Sequence, residues 1–190
     1  MSEPTAFDQL SAVIRGRRTS MLVDRDRDVP FSMLEQLCDL ATWAPNHKKT
    51  WPWKFAAFTG DGRQRLGDTM VEDMVDADFG DETKRIKTGG KYLRTPATLV
   101  VGCESHPNEM LHHENRDAVA AAIQNLLLAA TSVGLASFWS TPALTRPPKV
   151  LDLCGFDADD RVVGIIYLGW GHSDVPTPER PPITLTHVDH

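Results

Sequence analysis

Apolar residues Phe7, Leu10, Val13 and Ile14 recur at helical spacing, and Gly16 ends the pattern. The chain therefore opens on an amphipathic helix whose end carries Arg17-Arg18-Thr19. Ser32 followed three residues later by Glu35 predicts a capping box for a second helix running to Thr42, which Pro45 stops. Residues 53–59 (WKFAAFT) suit a strand buried on both faces, and Gly60-Asp61-Gly62 turns it into a helix from about Arg63 to Val75. A strand followed by a helix in this way opens a parallel-type connection. Residues 76–95 pass from acidic (Asp76, Asp78, Asp81, Glu82) to basic (Lys84, Arg85, Lys87, Lys91, Arg94), the pattern of a solvated excursion.

Beyond it, Ala97 to Cys103 is a second apolar strand, and Glu114 to Val133 is the longest helical signal, apolar on nearly all sides and therefore enclosed. Gly134 is its C-terminal stop. Ser137-Phe138-Trp139 reads as a short third strand, Pro147-Pro148 opens a short helix ending at Gly155, and Val162 to Leu168 is a fourth strand rich in β-branched residues. From Ser173 the chain becomes a tail that Pro176, Pro178, Pro181 and Pro182 keep extended, with residues 183–188 alternating like an edge strand. There is no internal repeat. At 190 residues the chain makes one domain, residues 1–190, with residues 173–190 as its extended C-terminal tail.

Composition narrows the function. A net charge of -6 with interspersed basic residues excludes the concentrated positive face that nucleic-acid binding needs and favours small-molecule chemistry. Cys38, Cys103 and Cys154 are odd in number, far apart and set in apolar runs, so they read as reduced thiols in a reducing, cytoplasmic setting. No segment has the layout of a signal peptide or a membrane span.

Two segments carry the chemistry. Guanidinium groups offer planar paired donors and keep their charge near neutral pH, so Arg17 and Arg18 beside the Thr19 hydroxyl suit a phosphate. Taken alone, an Arg-Arg-Thr run is more often a solvated helix end; its weight comes from the second segment, residues 44–53 (APNHKKTWPW), where Pro45 and Pro52 hold polar side chains next to large flat rings. Together they suggest a flavin site. On these residues the sequence resembles the nitroreductase family, and most of all its compact single-domain bacterial members, which carry Ala-Pro-Asp-His-Lys in the corresponding loop. A third segment, the long helix running into Gly134-Leu135 and Trp139-Ser140-Thr141, is similar to the family's second signature. The three occur in the family's order, between Arg17 and Gly171.

The resemblance implies an α+β nitroreductase-like fold, with a central mixed and mostly antiparallel sheet enclosed by helices, assembled as an intertwined homodimer with FMN at the interface. It implies that Arg17 and Thr19 hold the flavin phosphate and that Arg18 lies near the ribityl and phosphate end. Trp43 and His47 would stand at the cofactor, the histidine coming from the second subunit. Trp139, Ser140 and Thr141 would line the ring face and its polar edge, and Arg180 is a late candidate for the phosphate. The activity implied is FMN-dependent reduction of nitroaromatic, quinone-like or other electron-poor small molecules, with NADH or NADPH as donor and ping-pong turnover. Chemistry would reside in flavin N5, with no protein nucleophile. Other readings are a flavin-storing or sensing module, and a specialised member such as a dehalogenase or flavin-cleaving synthase.

Three positions depart from the family pattern. Met21 stands where a Lys or Arg is usual at the flavin pyrimidine, Lys49 replaces the loop asparagine and could supply that missing cation, and Trp51 replaces the usual glutamine. Cys103, His106, His112, His113 and Glu114 match no tetrahedral zinc module, and the glycine-rich nucleotide loops and the nucleophile elbow are absent, so no metal site is expected.

Overall fold

The apolar runs at residues 97–103 and 161–170 take the middle of the sheet, whereas residues 53–59, expected to be buried on both faces, form an edge strand in which only Phe58 is buried. The computed structural model describes residues 3–172 and 175–189. Its sheet contains β1 (Trp53–Thr59), β2 (Ala97–Cys103), β3 (Leu135–Ser140) and β4 (Arg161–Trp170) in the order β1-β2-β4-β3, with every neighbouring pair antiparallel. In β2 all seven residues are buried. Leu99 and Val101 face one core layer and Val100 the other; Ile166 and Leu168 of β4 face the first, Ile165 and Tyr167 the second. The two-residue strand period thus feeds two cores from one sequence run.

Around the sheet lie α1 (Ala6–Gly16), α2 (Phe31–Ala41), α3 (Gly62–Asp76), α4 (Glu82–Lys91), α5 (Glu109–Ser132) and α6 (Pro148–Leu153). Helices α2 and α5 cover the first layer through Leu34, Leu37, Val119, Ile123 and Leu126. On the opposite face, α3 and α6 contribute Leu66, Met70, Met74, Val150 and Leu151. Asp73, fully buried on α3, accepts hydrogen bonds from the backbone N–H groups of Lys149 (3.0 Å) and Val150 (2.9 Å), which satisfies the start of α6. Among the described residues, no helix is long and apolar enough to cross a membrane.

Several expectations are corrected. Helix α2 begins at Phe31 with Pro30 at the N-cap and no side-chain cap; the Pro30 carbonyl takes the Met33 and Leu34 N–H groups, so the Ser32–Glu35 box is not used. Residues 82–91 form helix α4 rather than an irregular excursion, capped by Asp81, whose side chain accepts from Lys84 N–H. Its partner is α3, which it meets at a glycine crossing: a Cβ on Gly67 would lie 2.1 Å from the Gly89 carbonyl oxygen. The excursion returns the chain to the place it left, pairing Thr59 with Ala97, so β2 runs antiparallel to β1 and no parallel connection forms. Helix α5 starts five residues earlier than expected because Asn108 caps it, accepting from Leu111 N–H.

The tail also differs. Residues 175–189 contain no strand and pair with none of the four strands, and Ile183, Leu185 and Val188 stand 88%, 82% and 76% exposed. The tail's expected start, Ser173 with Asp174, and its last residue, His190, lie outside the described residues. Helix α1 is likewise thinly covered: it touches α5, yet no residue of it is buried, and Phe7, Leu10 and Ile14 are exposed.

Candidate functional site

Helix α1 ends at Gly16, and its last free carbonyls attract cations. Arg18 answers them, its Nη1 donating to the carbonyls of Arg15 (2.5 Å) and Arg17 (2.8 Å), while Nη2 reaches Thr177 Oγ1 of the tail (2.5 Å). Arg18 is therefore held in place, yet its Nε is buried without a partner. Next along the chain, Thr19 forms a parallel bridge with Ser137 of β3, and Ser20 N–H donates to the Ser137 carbonyl at 2.9 Å. This bridge is the parallel element beside an otherwise antiparallel sheet. Ser137 is buried, and its Oγ also lacks a partner.

An open cleft of about 550 Å³ lies on these residues, bounded by Arg15, Arg17, Arg18 and Arg180, with Gln124 of α5 and Thr177. Among the described residues, no carboxylate lines it and none of the four arginines is in an ion pair. Arg18 also borders an adjoining hollow of about 300 Å³ shaped by Ser20, Thr131, Gly134, Leu135 and Gly171. Four guanidinium groups around one cleft, joined through Arg18 to a hollow lined by small residues, fit an anion attached to a larger flat body. Arg17, Arg18, Thr19 and Arg180 are thus brought together. Ser137, Ser20, Arg15 and Gln124 are additions that the sequence reading did not name; only the parallel bridge shows why Ser137 matters.

The remaining candidates divide. Trp139 lies on β3, its indole over Gly164 of β4, where a Cβ would approach Nε1 to 2.4 Å; the ring keeps 38% of its surface exposed. Ser140 and Thr141 follow it at the strand's end, with Ser140 Oγ donating to the Thr141 carbonyl at 3.2 Å. The aromatic loop is elsewhere. His47 Nδ1 meets Glu114 Oε2 at 2.7 Å near the start of α5, Trp43 is 79% exposed, and Lys49 is exposed, its side chain in no hydrogen bond or ion pair among the described residues. From Glu114 to Gln124 and Thr131, α5 rises roughly 15 to 25 Å, so one chain does not close the loop over the arginine cleft.

Thiol catalysis is excluded by burial, which pushes Cys38 and Cys154 up to about 12 and Cys103 up to about 11, leaving them protonated at neutral pH. Among the described residues, no cluster of His, Cys, Asp and Glu is arranged to hold a metal.

The sequence model of the Nitroreductase family matches residues 14–170. The chain belongs to that family. It is 30% identical over 169 residues to the Escherichia coli K12 protein named "Putative NAD(P)H nitroreductase YdjA", covering 86% of this chain and 88% of that one. The crystal structure of a nitroreductase-like family protein from Bacillus cereus superposes with a TM-score of 0.80 at 30% identity, over 96% of this chain and 94% of the other. A nitroreductase from Bacteroides fragilis, solved with bound FMN, shares the fold at a TM-score of 0.72 and 24% identity, over 95% of this chain and 98% of that one. The nitroreductase-like α+β fold expected from the sequence is therefore the fold observed, and the family match spans the Arg17–Thr19 segment, the aromatic loop and Trp139.

Proposed function

We propose that this nitroreductase-family chain is an FMN-dependent oxidoreductase that draws electrons from NADH or NADPH and passes them to nitroaromatic, quinone-like or other electron-poor small molecules in alternating half-reactions. The observation that carries the reading is the arginine cleft, where four guanidinium groups stand without an ion pair among the described residues, in a chain of this family. When bound, the flavin supplies the two-electron chemistry that no side chain here provides.

This chain's residues bind, orient and enclose. Arg17, whose guanidinium is in no ion pair among the described residues, grips the phosphate, Arg18 braces α1 and the tail beside it, and Thr19 contributes its hydroxyl. Trp139 with Ser140 and Thr141 walls one side of the ring. The other wall, with His47, Lys49 and Trp43, comes from a second copy. What supports the homodimer is the apolar surface left open on one chain: Phe7, Leu10 and Ile14 on α1, and Ile183, Leu185 and Val188 on the tail. A two-fold axis turns the loop of each copy toward the cleft of the other.

The test is direct. Purified protein should be yellow and release FMN on denaturation, and anaerobic NADH or NADPH should bleach it until an acceptor restores the colour. Arg17→Ala should weaken FMN binding roughly tenfold to a hundredfold, since a hydrogen bond to a charged group is worth about 1.5 to 3 kcal/mol. A colourless protein that takes up no added FMN refutes the reading.

A further inference from the structure

The turn at residues 46–51 is held against its backbone preference. Lys48, Lys49 and Trp51 all take positive φ, at 60°, 52° and 51°, and none of them is glycine. A left-handed conformation costs free energy at each such position, and it persists only where surrounding contacts over-determine it. Inside the turn, Asn46 Oδ1 accepts from Trp51 N–H at 2.8 Å, and Asn46 Nδ2 donates to Thr50 Oγ1 at 3.0 Å. Outside it, two consecutive residues of α5 take the turn at both ends. Buried Asn115 accepts from Thr50 Oγ1 through Oδ1 at 2.5 Å, and Glu114 Oε2 meets His47 Nδ1 at 2.7 Å.

The first of these contacts anchors a backbone; the second fixes a chemical identity. An ionised carboxylate only accepts, so the Glu114 contact requires a proton on His47 Nδ1. Neutral histidine in water favours the other tautomer. With Nδ1 committed, Nε2 is the outward edge of the ring, free to accept when the imidazole is neutral and to donate when it is charged. The His47 side chain is half exposed, so that edge is available to a neighbouring molecule.

We propose that Glu114 is a positioning residue that locks His47 into the Nδ1–H form and turns its Nε2 edge out of its own chain, toward the flavin bound mainly by the second copy. The assignment rests on the FMN reading above. It also places, in a chain that has Met21 where a cation is usual, a hydrogen-bonding ring edge backed by a carboxylate at the cofactor, whereas the Lys49 side chain makes no hydrogen bond or ion pair among the described residues.

The experiment is imidazole ¹⁵N NMR of the protein freed of flavin, at a pH of about 9 where histidine is neutral, together with FMN titration. Wild type should show His47 chiefly as Nδ1–H. Glu114→Ala, at a helical position that tolerates alanine, should return His47 to the Nε2–H form and weaken FMN binding roughly three- to tenfold, the equivalent of one ordinary hydrogen bond. Glu114→Gln, whose amide oxygen still accepts, should restore both tautomer and affinity. Wild-type His47 in the ordinary tautomer, or a Glu114→Ala variant with unchanged tautomer or unchanged FMN affinity, overturns the proposal while leaving the flavin reading standing. Wild type that takes up no FMN, whatever its tautomer, refutes the flavin reading itself and this assignment with it.

Discussion

Placing a methyl group on Gly164 tests at one position how the sheet sets the site. Gly164 sits in β4 beneath the Trp139 indole, and an added Cβ would stand 2.4 Å from Nε1, 2.9 Å from Cδ1 and 3.3 Å from Ile123 Cδ1 of α5. Ordinary carbon contacts lie at about 3.5 to 4.0 Å, so the ring must retreat by roughly 1 Å or more. Overpacking of this kind costs about 1 to 3 kcal/mol, and replacing glycine recovers about 0.4 to 1 kcal/mol by restricting the unfolded chain. Because Trp139 is 38% exposed it can swing outward, which keeps the net loss near about 1 kcal/mol, or roughly 2 to 4 °C in Tm for a chain of this size. Gly164→Ala should therefore remain folded, lose near-ultraviolet circular dichroism from the displaced indole, and bind FMN less tightly because one wall of the ring site has moved. Thermal unfolding, near-ultraviolet spectra and FMN titration of the same sample measure all three. A Tm equal to or above wild type with an unchanged aromatic spectrum would show that Trp139 does not rest on Gly164, and an altered spectrum with unaltered FMN affinity would remove Trp139 from the flavin wall.

Other outcomes follow from the same coordinates. Asp73→Ala leaves the Lys149 and Val150 N–H groups at the start of α6 without an acceptor, at about 1 to 3 kcal/mol for each unsatisfied group, and should lower the urea midpoint without touching FMN affinity. Gly67→Ala drives a Cβ into the Gly89 carbonyl, where backbone rather than a side chain must yield, so it should destabilise more than Gly164→Ala in parallel melts. Burial raises the thiol pKa values from the usual 9.0 to about 12 for Cys38 and Cys154 and about 11 for Cys103. The stability this represents is fully present below about pH 9 and is lost as pH climbs through the folded-state values, because only the unfolded chain readily releases these protons. Urea titrations at pH 8 and 10.5 should show that loss, and mass spectrometry at pH 8 should find iodoacetamide labelling slow until denaturant is added.

The sequence by itself determined what depends on local pattern. Residues 97–103 and 162–168 read as strands from their apolar and β-branched runs, and the structure gives both a core on each face, whereas residues 53–59, read as buried on both faces, lie at the sheet edge with only Phe58 buried. Gly134 ends α5 as its pattern required, at φ 84°, and the Arg17-Arg18-Thr19 and residue 44–53 segments announced the family through residue types that survive without any contact being known. Tertiary structure decided the rest. Helix α4 was hidden because its surface is charged and its fit to α3 comes from two glycines meeting at a crossing, which leaves no apolar stripe to read. Chain reversal by the α3–α4 pair made β1 and β2 antiparallel, a consequence of where two helices end in space rather than of any residue in the strands. Ser137 was an ordinary strand serine until the Thr19 bridge set it next to the segment that carries Arg17 and Arg18. The alternation at residues 183–188 was real in sequence but formed no strand, since a strand exists only where another backbone offers it hydrogen bonds, and the tail pairs with none of the four strands.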